Sequence, residues 1–131
     1  MELLTPISPG ELLDKLTILE IKSERISDPD KLANVRHERQ LLERVWQESG
    51  LSRETVMELK ARLRTINESL WDIEDEIRDC ERDGDFGQRF VELARSVYRT
   101  NDRRSEVKKA INIELGSAIV EEKSYADYGD G

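Results

Sequence analysis

The chain has 131 residues, a net charge of −8, and nearly equal shares of apolar (37%) and charged (38%) residues. A core this lean suits a helical bundle better than a sandwich or a doubly wound sheet. The acidic balance argues against a nucleic-acid partner, which needs clustered Lys and Arg, and a single cysteine (Cys80) with a single histidine (His37) excludes both a disulfide and a four-ligand Cys/His zinc site within one chain.

Residues 1–7 read as a lead-in. Ser8-Pro9-Gly10-Glu11 then supplies an N-cap serine, a proline at the first helical position and a glutamate three residues after the cap. This predicts a first helix over residues 9–26. Ser27-Asp28-Pro29-Asp30 stops it and starts a second helix, over 29–49, with Asp28 as cap and Gly50 as the stop. Ser52 opens the third helix, over 53–82. Its seam of Val56, Leu59, Leu63, Ile66, Leu70, Ile73, Ile77 and Cys80 steps by three and four for about three and a half heptads, as in a coiled coil.

Asp83-Gly84-Asp85-Phe86-Gly87 is a turn, and Asp85 followed by Gln88 resembles a second capping box. The fourth helix is expected over 86–115, stopped by Gly116. Residues 117–131 lack periodicity and are expected to form a partly mobile acidic tail. The fold class is therefore all-α, as a single domain over residues 1–116. It comprises two antiparallel helical hairpins, short then long, in a four-helix, coiled-coil-like bundle.

Pairing the last two helices about residue 85 sets Cys80 near Phe90, Ile73 near Val97, Leu63 near Val107 and Leu59 near Ile111. Asn67 falls near Asn101 and Arg104. In the shorter hairpin Leu12, Leu16 and Leu19 face Val45, Leu42 and Val35. At ~1.5 Å per residue the first pair spans roughly 27–32 Å and the second roughly 42–45 Å. The longer hairpin projects, and its uncovered seam calls for a second subunit, with a homodimer the simplest source.

Charged residues interrupt the apolar faces at two places. On the first helix Lys15, Glu20 and Lys22 lie among Leu12, Leu13, Leu16, Ile18 and Ile21. Either their stems lie along apolar surface with the heads in water, or they form a partly dry site for a ligand or partner. On the fourth helix Tyr98, Asn101, Arg104, Lys108 and Asn112 share the side that carries Val97 and Ile111. They form a polar layer that fixes register, an anion-binding pocket, with Arg104 and Lys108 supplying charge and Tyr98 and Asn101 hydrogen bonds, or an exposed basic edge. An acidic stripe (Glu68, Asp72, Asp75, Asp79) and a basic ladder (Arg95, Arg99, Arg103) lie off the seam and suit pairing between helices or subunits. Trp46 and Trp71 read as core or interface anchors and His37 as a surface residue. No cofactor or metal is expected.

The runs from Ser8 to Lys22, Lys31 to Val35, and Val97 to Arg104 resemble an uncharacterised family of small bacterial all-helical proteins. The resemblance implies bacterial origin and a helical fold, with no activity to carry over. Helical chorismate mutases are similar in size and helicity, and Lys15, Lys22, Arg104 and Lys108 are the basic residues such a site would use. That likeness stops at the fold. The paired acidic motifs of helical nucleotide pyrophosphohydrolases are not matched, because Glu20 and Glu24 are four residues apart rather than three. With neither a secretory leader nor an apolar stretch of ~20 residues, a cytoplasmic location is expected. The leading expectation is a non-enzymatic helical oligomer that works through protein–protein contacts. The alternative is a small enzyme or binding protein for an anionic metabolite, held in the Lys/Arg-lined pocket.

Overall fold

The computed structural model describes residues 1–129, and over them the chain forms four α-helices and no strand. They are α1 (Pro9–Arg25), α2 (Pro29–Ser49), α3 (Glu54–Asp83) and α4 (Gln88–Glu114). Among the described residues no helix is long and apolar enough to cross a membrane.

The helix ends follow local chemistry. The Ser8 hydroxyl accepts from the Glu11 amide at 3.2 Å, and the Asp28 carboxylate accepts from the Lys31 amide at 3.0 Å. Each satisfies one of the orphan N–H groups of a first helical turn. Gly50 (φ 69°) and Gly84 (φ 66°) close α2 and α3 in the left-handed conformation, where a side chain would be strained. Two starts differ from expectation. Ser52 does not open α3: Arg53 occupies the cap without a side-chain bond, and the first helical residue is Glu54. The Asp85 carboxylate does not cap α4 either. It accepts from the Gly87 amide at 3.1 Å, two residues on, so it closes a tight turn and delays the helix to Gln88. Phe86 is left outside the helix, edge-on to Phe90 with ring centroids 5.3 Å apart.

α1 is the hub. It packs against all three other helices, whereas α2 packs against α1 alone. Leu12, Leu13 and Leu16 of α1 meet Trp46 of α2, Val56 and Leu63 of α3, and Val107 and Ile111 of α4 in one core. Burial of a side chain of this kind is worth about 1.5–3 kcal/mol before conformational entropy is subtracted. A helix buried on several sides must be apolar nearly all round, which accounts for Ile21 and Leu19 being buried as well. On α2 the inward residues are Val35 and Trp46, with Leu42 half-buried. Val45, expected opposite buried Leu12, is 49% exposed.

Thr55 bonds Glu114 at 3.0 Å, and Arg89 lies 3.9 Å from Glu76, so the start of α3 lies beside the end of α4. Arg25, the last residue of α1, reaches Asp72 of α3 and lies over the Trp71 ring. Beyond Asp72 the only buried residue of α3 is Cys80, and α4 has none before Thr100.

Candidate functional site

The site begins with a polar face on the apolar hub. Asp14 and Thr17 are three residues apart on α1, one helical turn, and both are buried. The Asn67 amide of α3 donates to Asp14 Oδ1 at 2.8 Å and to Thr17 Oγ1 at 2.9 Å, while the Thr17 hydroxyl donates to the Asp14 carbonyl. Every buried side-chain polar atom among the described residues has a partner, as the cost of an unmade bond in a dry interior requires.

α4 closes this face. The Lys108 ammonium bonds Glu11 and lies 3.8 Å from both Asp14 and Glu121. One turn on, buried Asn112 accepts from the Gly10 amide at 2.8 Å. A Cβ on Gly10 would sit 2.5 Å from the Lys108 carbonyl oxygen, so glycine is what lets α1 and α4 cross so closely. Ser8 adds a bond from its hydroxyl to Glu121 at 2.9 Å, tying the residues beyond α4 back to the start of α1.

Those residues run along α4. Lys123 donates to Asp102 at 3.0 Å, Lys109 lies 3.5 Å from Glu122, and the Tyr98 and Tyr128 rings are 5.0 Å apart. The Lys123 ammonium, and then the Tyr128 hydroxyl, hold the Asp102 carboxyl below its ordinary range, and Asp102 in turn pushes the Tyr128 phenol up. Of the tail expected over 117–131, Asp130 and Gly131 lie outside the described residues.

Between α4 and this segment lies a cavity of about 1120 Å³, whose walls include Tyr98, Asn101, Arg104, Lys108, Asn112 and Tyr128. Three of its four basic side chains already have a carboxylate within 4 Å: Lys108, Lys109 and Lys123. Arg104, half-buried, has no ion pair or hydrogen bond from its side chain among the described residues. Among those residues, no three of His, Cys, Asp and Glu are grouped so as to hold a metal ion.

A family profile matches residues 3–128, a span that takes in all four helices and the segment along α4. The chain belongs to DUF6165, a family of unknown function. No curated protein and no solved structure matches the chain. In this DUF6165 protein the four α4 candidates, Tyr98, Asn101, Arg104 and Lys108, line one cavity, and the three α1 candidates do not. Lys15 is exposed and Lys22 half-buried. Glu20 turns to α3, where it meets Lys60 at 2.8 Å and Arg64 at 3.1 Å. Arg64 also bonds Glu24 and Glu68, and with Glu24 first among these partners its guanidinium is held more firmly protonated than usual while the Glu24 carboxyl is pulled down. The four basic residues of a chorismate-mutase-like site are thus not gathered.

Asn67 was expected beside Asn101 and Arg104. It turns instead to Asp14 and Thr17, because α1 fills the groove between α3 and α4. Sequence reasoning missed Ser8, Gly10, Glu11, Asp14 and Thr17 as a connected polar set. Ser8, Glu11 and Gly10 were already accounted for by the cap. The available signal was that Gly10, Asp14 and Thr17 recur at the same helical spacing as the leucines, in an otherwise apolar helix.

Proposed function

We propose that this protein is a non-enzymatic helical homodimer that works through protein–protein contacts. In this reading α1–α2 and α3–α4 are two antiparallel hairpins, and a second copy covers the far half of the longer one. The observation that carries it is the state of that half. Ile73, Ile77, Phe90, Leu93 and Val97 are only half-buried, and Phe86 (55%) and Val91 (43%) are exposed. Two helices alone cannot cover both sides of their seam, and a four-helix arrangement can.

The charges flanking this seam fit a second copy of the same chain. From Asp72 to Asp83, α3 carries seven acidic residues against two arginines, a net of −5. From Gln88 to Arg99, α4 carries three arginines against Glu92, a net of +2. Arg95, Arg99 and Asp75 have no ion pair among the described residues. A two-fold axis lays the acidic helix of one copy on the basic helix of the other, and then the reverse.

Sedimentation equilibrium tests this. The expected result is a species of twice the chain's 15.2 kDa that weakens with salt. Arg95→Glu with Arg99→Glu, both at exposed positions, is expected to weaken self-association by roughly ten-fold, the equivalent of about 1.4 kcal/mol, and Asp75→Arg to restore part of it. A single-chain mass at low salt overturns the proposal.

A further inference from the structure

The cavity along α4 carries a second, independent reading. All three tyrosines of the chain, Tyr98, Tyr125 and Tyr128, line it. Its charges are unevenly satisfied. Lys108, Lys109 and Lys123 are each occupied by a carboxylate of the protein, which leaves Arg104 as its one cation without an ion pair among the described residues. Among the acids lining it, Asp102, Glu121 and Glu122 have a lysine within 4 Å, whereas Glu106 and Asp127 have no cation that close.

We propose that this cavity binds a small zwitterion, its carboxylate or phosphate on Arg104 and its amine among the tyrosine rings and the carboxylates of Glu106 and Asp127. A guanidinium offers paired N–H donors that match an oxyanion and cannot be deprotonated near neutral pH. A half-buried one with no partner keeps that capacity for a ligand. The Asn101 amide, one helical turn away and half-buried, lines the same wall and has no side-chain hydrogen bond among the described residues. The Tyr125 face already carries the Lys123 ammonium, 5.2 Å from the ring centroid, so the ligand's amine is left the Tyr98 and Tyr128 rings together with Glu106 and Asp127, whose carboxylates have no ion pair among the described residues. A plain anion is a poorer fit. The lining holds five acidic side chains against four basic ones, so a ligand with negative charge only would meet repulsion from Glu106 and Asp127.

The test uses the full chain and isothermal titration with ω-amino acids from glycine to 6-aminohexanoate, together with O-phosphoethanolamine. Butyrate and butylamine serve as single-pole controls. The proposal expects at least one zwitterion to bind ten-fold or more tightly than either control. Arg104→Ala should weaken that binding at least ten-fold, and Asp127→Asn should weaken it to a lesser degree. The Arg104 side chain has no ion pair or hydrogen bond among the described residues and Asp127 is exposed, so helical circular dichroism and the melting temperature of both variants should match the wild type. Butyrate binding as well as 4-aminobutyrate would make this a plain anion site and overturn the proposal. It is equally overturned if no zwitterion binds, or if Arg104→Ala binds unchanged.

Discussion

The Gly10 amide donates to Asn112 Oδ1 at 2.8 Å across the crossing of α1 and α4. That bond forms because nothing separates the two backbones. A methyl group at position 10 would meet the Lys108 carbonyl oxygen at 2.5 Å and Asn112 Oδ1 at 2.9 Å. The first contact is with backbone, which cannot rotate away. Gly10→Ala removes a residue of poor helix propensity, a gain of up to about 1 kcal/mol in an open helix. Here the overlap outweighs it. The expected outcome is a net destabilisation of about 1–3 kcal/mol, read from urea unfolding as a lower midpoint with an unchanged slope.

Asn67 holds two buried acceptors of α1 with one amide group. Replacing it by leucine keeps the branched skeleton, at a larger volume, and removes both bonds. Asp14, 5% exposed, would then keep only Lys108 at 3.8 Å as a cation nearby. We expect Asn67→Leu to cost about 2–3 kcal/mol, the scale of a buried polar group left without its donor. In a double-mutant cycle with Thr17→Val the two losses should not add, because both variants break the same bond. Strict additivity in denaturant titrations would place the two residues in separate interactions.

The helical class and the main apolar stripes were legible in the sequence because helix periodicity is local. The serine and aspartate caps of α1 and α2, and the seam from Val56 to Cys80, each follow from spacing along one helix. What lies between helices was harder to read. The α3–α4 hairpin by itself sets Asn67 beside α4, and only the position of α1 turns that amide to Asp14 and Thr17. Lys15 and Lys22 are charges on an apolar helix, yet neither lines the cavity. Asp14, with the same charge magnitude on the same helix, is the buried one. The difference is a rotation about the α1 axis: Asp14 shares the leucine spacing with Gly10 and Thr17, and Lys15 lies one residue further round. The turn over residues 83–87 is present, and only the role of Asp85 differs, since an aspartate can close a turn at its second neighbour or cap a helix at its third.

The segment along α4 should come away from it at both ends of the pH scale. The folded Asp102 carboxyl is pulled below its ordinary value by Lys123 and Tyr128. Its contribution is therefore complete above the unfolded aspartate value of about 3.9 and is lost as pH falls through the lower, folded one. The Tyr128 phenol is shifted the opposite way, upward, chiefly by Asp102. Its contribution is complete below the ordinary tyrosine value of about 10 and is lost as pH rises through the raised one. Amide resonances of residues 121–128 should hold steady between these limits and move toward coil values outside them. In Asp102→Asn the acid transition should disappear. Its persistence would assign that transition to another carboxylate.

Lys108 meets three carboxylates from two directions, Glu11 and Asp14 on α1 and Glu121 beyond α4. Its side chain is 17% exposed and that of Asp14 6%, whereas Glu121 is 48% exposed. Lys108→Met keeps the aliphatic stem and deletes the charge, leaving three negative groups facing one another, one of them in the interior. Breaking a fully buried pair from one side costs about 3–5 kcal/mol. Partial solvent access at Glu11 and Glu121 screens part of this, so about 2–3 kcal/mol is expected here. Adding Glu121→Gln to Lys108→Met should recover some of the loss by removing one of the repelling charges. Glu121→Gln in the wild-type background should cost less than about 1 kcal/mol, because Glu11 and Asp14 still hold the lysine. Thermal melts of the four proteins decide this. If Glu121→Gln alone destabilises as much as Lys108→Met, the lysine is held from the tail side, and the α1 contacts are secondary.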